Sequence, residues 1–161
     1  MSTLFHRRYL ACPYDRARLA LHDALNDFAE TGEPQLARLR VPLPGVETAG
    51  PALEKDVVLT YGHGTDPLHF DQPWTVRWAP SNGGPFPTFN GTLTVRADED
   101  YSTCALELRG TYEPPLGAAG AMFDTVLGSR IASATARELL REVGSRIEQR
   151  YREEEQAKAA S

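Results

Sequence analysis

Cysteine is scarce in this chain: Cys12 and Cys104 are the only 2, and neither sits in a C-x-x-C or metal-ligand spacing. A disulfide framework and a zinc module are therefore excluded, and the pair reads as reduced packing residues of a cytoplasmic protein. Long apolar runs are missing too. No stretch reaches the roughly 18 residues of a membrane span, and M-S-T-L-F-H-R-R holds no apolar core of signal-peptide length. Membrane insertion is not expected. Positive charge is also in deficit, since 17 Lys+Arg against 22 Asp+Glu leave a net charge of −5. Nucleic acid and anionic membranes select basic surfaces, so neither is an expected partner. The sequence contains no G-x-S-x-G, H-E-x-x-H, G-x-G-x-x-G or P-loop. The glycine-rich P-S-N-G-G-P-F-P at 80–87 lacks the lysine and Ser/Thr of a nucleotide loop, and it joins two strand patterns. It reads as a hairpin loop, and no cofactor is expected.

What is present is the composition of a globular domain, 41% hydrophobic and 24% charged. One domain is expected over 1–153, with a frayed, charged and then alanine-rich tail over 154–161. The chain is organised around a change of period. Thr92 to Thr111 alternates like a sheet, Pro114-Pro115 interrupts it, and from there to Arg152 the apolar spacing is helical. A single late helix after a run of strands must lie across the sheet to bury its stripe.

Thr3 to Cys12 predicts a first strand, with Leu4, His6, Arg8 and Leu10 on one face and Phe5, Arg7 and Tyr9 on the other. After Pro13, the spacing of Leu19, Leu21, Leu25 and Phe28 predicts a helix that stops at Thr31-Gly32. Gln35 to Val41 is a short strand or part of a connection, and Pro42 to Pro51 is irregular loop. Four strands are then predicted at Glu54–His63, Leu68–Ala79, Phe86–Ala97 and Tyr101–Tyr112, joined by short polar loops as an antiparallel meander. Its buried face carries Trp74, Val76, Trp78, Phe89, Leu93, Val95, Cys104, Leu106, Leu108 and Tyr112, and no charge. Arg77, Arg96, Glu107 and Arg109 are expected together on the wet face. In the last helix Ala119, Met122, Phe123, Val126, Leu127, Ile131 and Ala134 do not share a face with Leu139, Leu140, Val143, Ile147 and Tyr151. The helix therefore bends, or its second half meets the first helix or a second copy of the chain. A homodimer is on that account a candidate assembly.

Three polar features invite a chemical reading. His63 and His69, with Asp66 and Asp71 between and beside them, have spacing compatible with a metal or acid–base cluster. Gly62, Gly64 and Pro67 place them in a flexible turn, however, whereas metal ligands are held rigidly by their neighbours. An exposed hairpin with no metal is the expectation. Asp124 lies near the start of the last helix, where the helix dipole favours an acid; as a cavity carboxylate it would work with Tyr112 and His6 or Arg8. Tyr112 is the best single candidate for a polar ligand contact, because a buried phenol needs a partner.

The order of one strand, a helical insertion, a meander and a long closing helix resembles the START-like (SRPBCC) superfamily, which includes polyketide cyclases and dehydratases and lipid-transfer domains. The local resemblance lies in L-A-C-P-Y-D-R-A-R-L at 10–19 and in G-T-L-T-V, A-L-E-L-R-G-T-Y-E-P-P-L-G-A-A-G and the following Asp within 91–124. It implies an α+β helix-grip fold, a curved antiparallel sheet wrapped around the C-terminal helix. Members commonly have two short helices after the first strand, whereas this chain shows one and a proline-rich connection. Gly117 to Ala121 also make the start of the last helix unusually rich in small residues. The resemblance implies a small hydrophobic ligand between sheet and helix, a lipid, polyketide or aromatic metabolite. The expected contacts are Trp74, Val76, Trp78, Phe89, Leu93, Leu106, Leu108, Tyr112, Phe123, Asp124 and Leu127. The alternatives are a cyclase, dehydratase or hydrolase using the same cavity, and a protein-interaction module working through the second half of the helix. No catalytic residue is singled out.

Overall fold

The computed structural model describes residues 2–30, 57–63, 73–81, 86–114 and 125–161. In chain order these form β1 (Ser2–Leu10), α1 (Tyr14–Glu30), β2 (Val57–His63), β3 (Trp74–Pro80), β4 (Thr88–Ala97), β5 (Cys104–Glu113) and α2 (Thr125–Ala160). The strands make one sheet in the order β1-β5-β4-β3-β2, every pair antiparallel. β2 to β5 are the expected meander, and β1 returns to pair with β5, Ser2 opposite Tyr112 and Leu10 opposite Cys104. The stretch Gln35–Val41, the proline-rich connection and the small residues Gly117–Ala121 lie outside the described residues.

Alternation turns directly into two faces. Along β3, Trp74, Val76 and Trp78 are buried while Thr75, Arg77 and Ala79 are exposed. The pairing registers carry this pattern across the sheet as rows. One row runs His63, Trp74, Leu93, Leu108 and His6; the next runs Tyr61, Val76, Gly91, Gly110 and Leu4; a third runs Leu59, Trp78, Phe89, Tyr112 and Ser2. The inner face of β3, β4 and β5 is apolar throughout, as its sequence predicts.

α2 is one continuous helix, and its buried residues explain the change of face read from the sequence. Ile131, Thr135, Leu139, Val143 and Ile147 are buried at intervals of four, and each such step turns the stripe by about 40° around the axis. The stripe therefore winds. Mid-helix it faces β1: a Cβ on Gly144 would come within 2.7 Å of Arg8 Nε, so glycine sets the close approach there. Further on it faces α1, where Arg16 pairs with Glu154 and lies over the Tyr151 ring, and Arg150 Nη2 meets Asp23 Oδ2 at 2.8 Å. Of the two outcomes left open by the sequence, the halves pack on different elements. α2 runs on to Ala160, and Glu154 and Glu155 in its last turns pair with Arg16.

α1 buries Ala17, Ala20, Leu21 and Leu25, a helical stripe. Leu19, counted in that stripe from sequence, is exposed instead. The first turn is held by the β4–β5 hairpin: Tyr101 takes a left-handed backbone (φ 61°) and its carbonyl accepts from the Tyr14 amide at 3.1 Å. The donor is one that the helix itself cannot satisfy. Within the hairpin, Thr103 Oγ1 donates to Asp98 Oδ2 and the Ser102 hydroxyl to Asp100 Oδ1, which fixes the loop.

Candidate functional site

The concave face has an aromatic floor. Trp78 and Phe89 stack with ring centroids 4.1 Å apart and planes 15° from parallel, an arrangement worth about 0.5–1.5 kcal/mol beyond burial. The floor fits because Gly91 and Gly110 lie side by side in the neighbouring row. A Cβ on Gly110 would stand 2.7 Å from Phe89 Cζ and 2.6 Å from Gly91 Cα. Trp78 is 1% exposed, and its indole Nε1 has no hydrogen-bond partner among the described residues. Buried donors are rarely left unpaired, and the desolvation penalty is about 1–3 kcal/mol. The floor is thus buried and apolar, with one N–H unpartnered among the described residues.

Two rows from the floor, at the Trp74 end of β3, a cleft of about 440 Å³ opens between α1 and the inner face of the sheet. Trp74 and Val95 form its sheet wall, and Tyr14, Arg18, Leu19 and His22 come from the helix. His22 meets Trp74 edge-on at 5.8 Å. The exposed Leu19 belongs to this cleft, so its departure from the buried stripe leaves an apolar group at the opening.

Two sequence expectations about charge are corrected. Glu107 is 7% exposed and not solvated, because Arg7 and Arg96 lie over it from the two neighbouring strands. Arg77 pairs instead with Asn90, and Arg109 covers the Phe5 ring at 5.0 Å, so the four charges expected together are divided. On the helix-facing side the charge comes from β1. Arg8 reaches Glu148 of α2 at 3.5 Å, and burial, reinforced by Arg137, lowers the His6 pKa below its ordinary value.

Comparison with known proteins supplies the frame for this geometry. No family model and no curated protein matches the chain. Among solved structures, a START superfamily protein from Mycobacterium smegmatis superposes with a TM-score of 0.50 at 12% identity, over 91% of this chain and 97% of that one. The fold is START-like. An aromatase/cyclase from Streptomyces sp. R1128 is similar at 15% identity over 92% of this chain and 94% of that one, with a TM-score of 0.49. A Thermus thermophilus protein aligns at 13% identity over 91% and 97%, with a TM-score of 0.42.

Within this START-like frame the expected ligand contacts divide. Trp74 lines the cleft. Val76, Trp78, Phe89, Leu93, Leu106, Leu108 and Tyr112 are buried on the concave face, brought together by the rows described above. Phe123, Asp124 and His69 lie outside the described residues, and Leu127 belongs to α2 with only its backbone described. Sequence reasoning missed Tyr14, Arg18 and His22, which form the helix wall. Their spacing of four places them on one face of α1, and that polar face gave no sign that a sheet stood opposite it. The two thiols are buried, with Cys104 Sγ donating to the Cys12 carbonyl at 3.3 Å. Burial lifts Cys12 to about 11 and Cys104 to about 12. Neither is poised as a nucleophile.

Proposed function

We propose that the protein binds a small hydrophobic molecule on the concave face, entering at the α1 cleft and lying along the aromatic floor. The observation that carries the reading is the buried Trp78 indole, whose N–H has no partner among the described residues on this apolar face. A ligand with a carbonyl or hydroxyl oxygen at that point would satisfy it. Polyketides, aromatic ketones and lipid esters share that chemistry. Release of water from aromatic and aliphatic walls supplies affinity, at about 25 cal/mol per Å² of apolar area, and the single polar contact sets orientation. The START-like fold supports the reading at the level of fold.

A matched pair of neutral ligands tests it. Titrating 2-acetylnaphthalene and 2-ethylnaphthalene against tryptophan fluorescence compares near-equal shapes that differ by one acceptor. The ketone is expected to bind several-fold more tightly, in line with one hydrogen bond of about 0.5–1.5 kcal/mol. Trp78→Phe is expected to remove that preference while retaining the stacked ring. Equal binding of the pair by the native protein, or no binding of either, overturns the proposal.

A further inference from the structure

A second cleft, also of about 440 Å³, lies between β1 and α2 and shares no lining residue with the first among the described residues. Its walls are basic. β1 contributes Arg7 and Arg8, while α2 contributes Arg137 and Arg141 with Glu138, over an apolar base of Ala134 and Leu140. Ala134, Arg137, Glu138 and Arg141 follow the spacing of three and four that puts them on one helix face. This concentration of cations stands on a chain whose net charge is −5, so composition does not account for it.

The local acids engage three of these arginines and leave Arg137 over. Glu107 is shared by Arg7 and Arg96, and Glu138 and Glu142 both lie against Arg141. Arg8 meets Glu148 only at 3.5 Å and leaves its Nε unpartnered. Arg137, in the middle of the helix wall, has no ion pair or hydrogen bond among the described residues. The exposed pairs of Arg141 hold their partners weakly and can be exchanged for a stronger anion, whereas Arg7 stays with the buried Glu107 and adds its charge from the rim. Guanidinium groups converging from two elements match the several oxygens and double charge of a phosphate better than a single carboxylate. The volume suits a small molecule or a head group.

We propose that this cleft binds the phosphate group of a phosphorylated small molecule or lipid head group, with Arg137 as the central contact and Arg8, Arg7 and Arg141 around it. The proposal is independent of the hydrophobic site, because the residues and the ligand chemistry differ.

Calorimetric titration of the full chain with glycerol 3-phosphate at low salt, and co-sedimentation with phosphatidylcholine vesicles with and without phosphatidic acid, test it. Binding is expected in at least one arm. It should shift the amide resonances of Ala134 and Leu140, and it should weaken about tenfold in Arg137→Gln and further in Arg137→Gln/Arg141→Gln. Both side chains project from the outer part of α2, and unchanged circular dichroism verifies that the variants fold. Glycerol 3-phosphate binding that the variants lose identifies a soluble ligand. Binding confined to phosphatidic acid vesicles, and lost in the variants, identifies a head group. No binding in either arm, or binding that both variants retain, overturns the proposal.

Discussion

Individual residues in this molecule carry constraints that their neighbours impose. Gly110 faces the Phe89 ring and the Gly91 backbone, so a methyl group has nowhere to go. Gly110→Ala is expected to destabilise the domain by about 1–3 kcal/mol, the usual result of overpacking. In a Phe89→Leu background the same change should cost less, and chemical denaturation of the four proteins measures that coupling. Tyr101 presents the reverse case. It holds a left-handed backbone (φ 61°) that ordinary side chains adopt at roughly 1–2 kcal/mol. Tyr101→Gly is therefore expected to be more stable than Tyr101→Ala by about 1 kcal/mol, although glycine normally loses more entropy on folding. Thermal melts of the two variants decide it. With both thiols pushed well above neutrality by burial, Cys12 and Cys104 should react with a disulfide reagent only as fast as the protein unfolds.

At the scale of elements, the contact between α1 and the end of α2 depends on pH in a direction that can be worked out. Glu154 accepts from Arg16 and Arg150, and these bonds hold its carboxyl below the ordinary 4.5. A lowered carboxylate stabilises the fold fully above its unfolded value and loses that contribution as the pH falls through its folded value. Native protein and Glu154→Gln should therefore differ near neutrality and converge as the pH falls through the lowered folded value. Hydrogen exchange of α2 amides over 150–160, compared between the two proteins at neutral pH and again well below the ordinary carboxylate range, would reveal the loss, and an unchanged difference at the lower pH would contradict it. The winding stripe explains why this region was hard to read. Hydrophobic spacing located α2 and its change of face correctly, but the attachment of its last turns comes from Arg16 and Asp23, more than a hundred residues earlier. Nothing local in R-E-E-E-Q-A-K announces those partners.

For the molecule as a whole, the two clefts are expected to act separately. Saturation with 2-acetylnaphthalene should leave glycerol 3-phosphate affinity unchanged within about twofold, since coupling requires a differential interaction between states. Titration of each in the presence of the other measures it. The fold was legible because its signals are periodic: W-T-V-R-W and L-E-L-R alternate, and burial follows the alternation along β3, while in β5 it is interrupted at the covered Glu107. The aromatic floor was legible for the same reason. The clefts were not, because each is formed between elements distant in sequence, His22 against Trp74 and Arg8 against Arg137. Glu107 shows the same limit. Parity placed it outward, as observed, yet only cross-strand neighbours could tell that arginines would cover it.

The first turn of α1 has one further implication. It is tied to the β4–β5 hairpin through the Tyr101 carbonyl, and its flank is riveted to α2 by Arg16 and Asp23. A helix fastened at those points makes a poor hinge. For the guest proposed above, bulk at Arg18, Leu19 and His22, more than any motion of the backbone, would then set the largest size admitted.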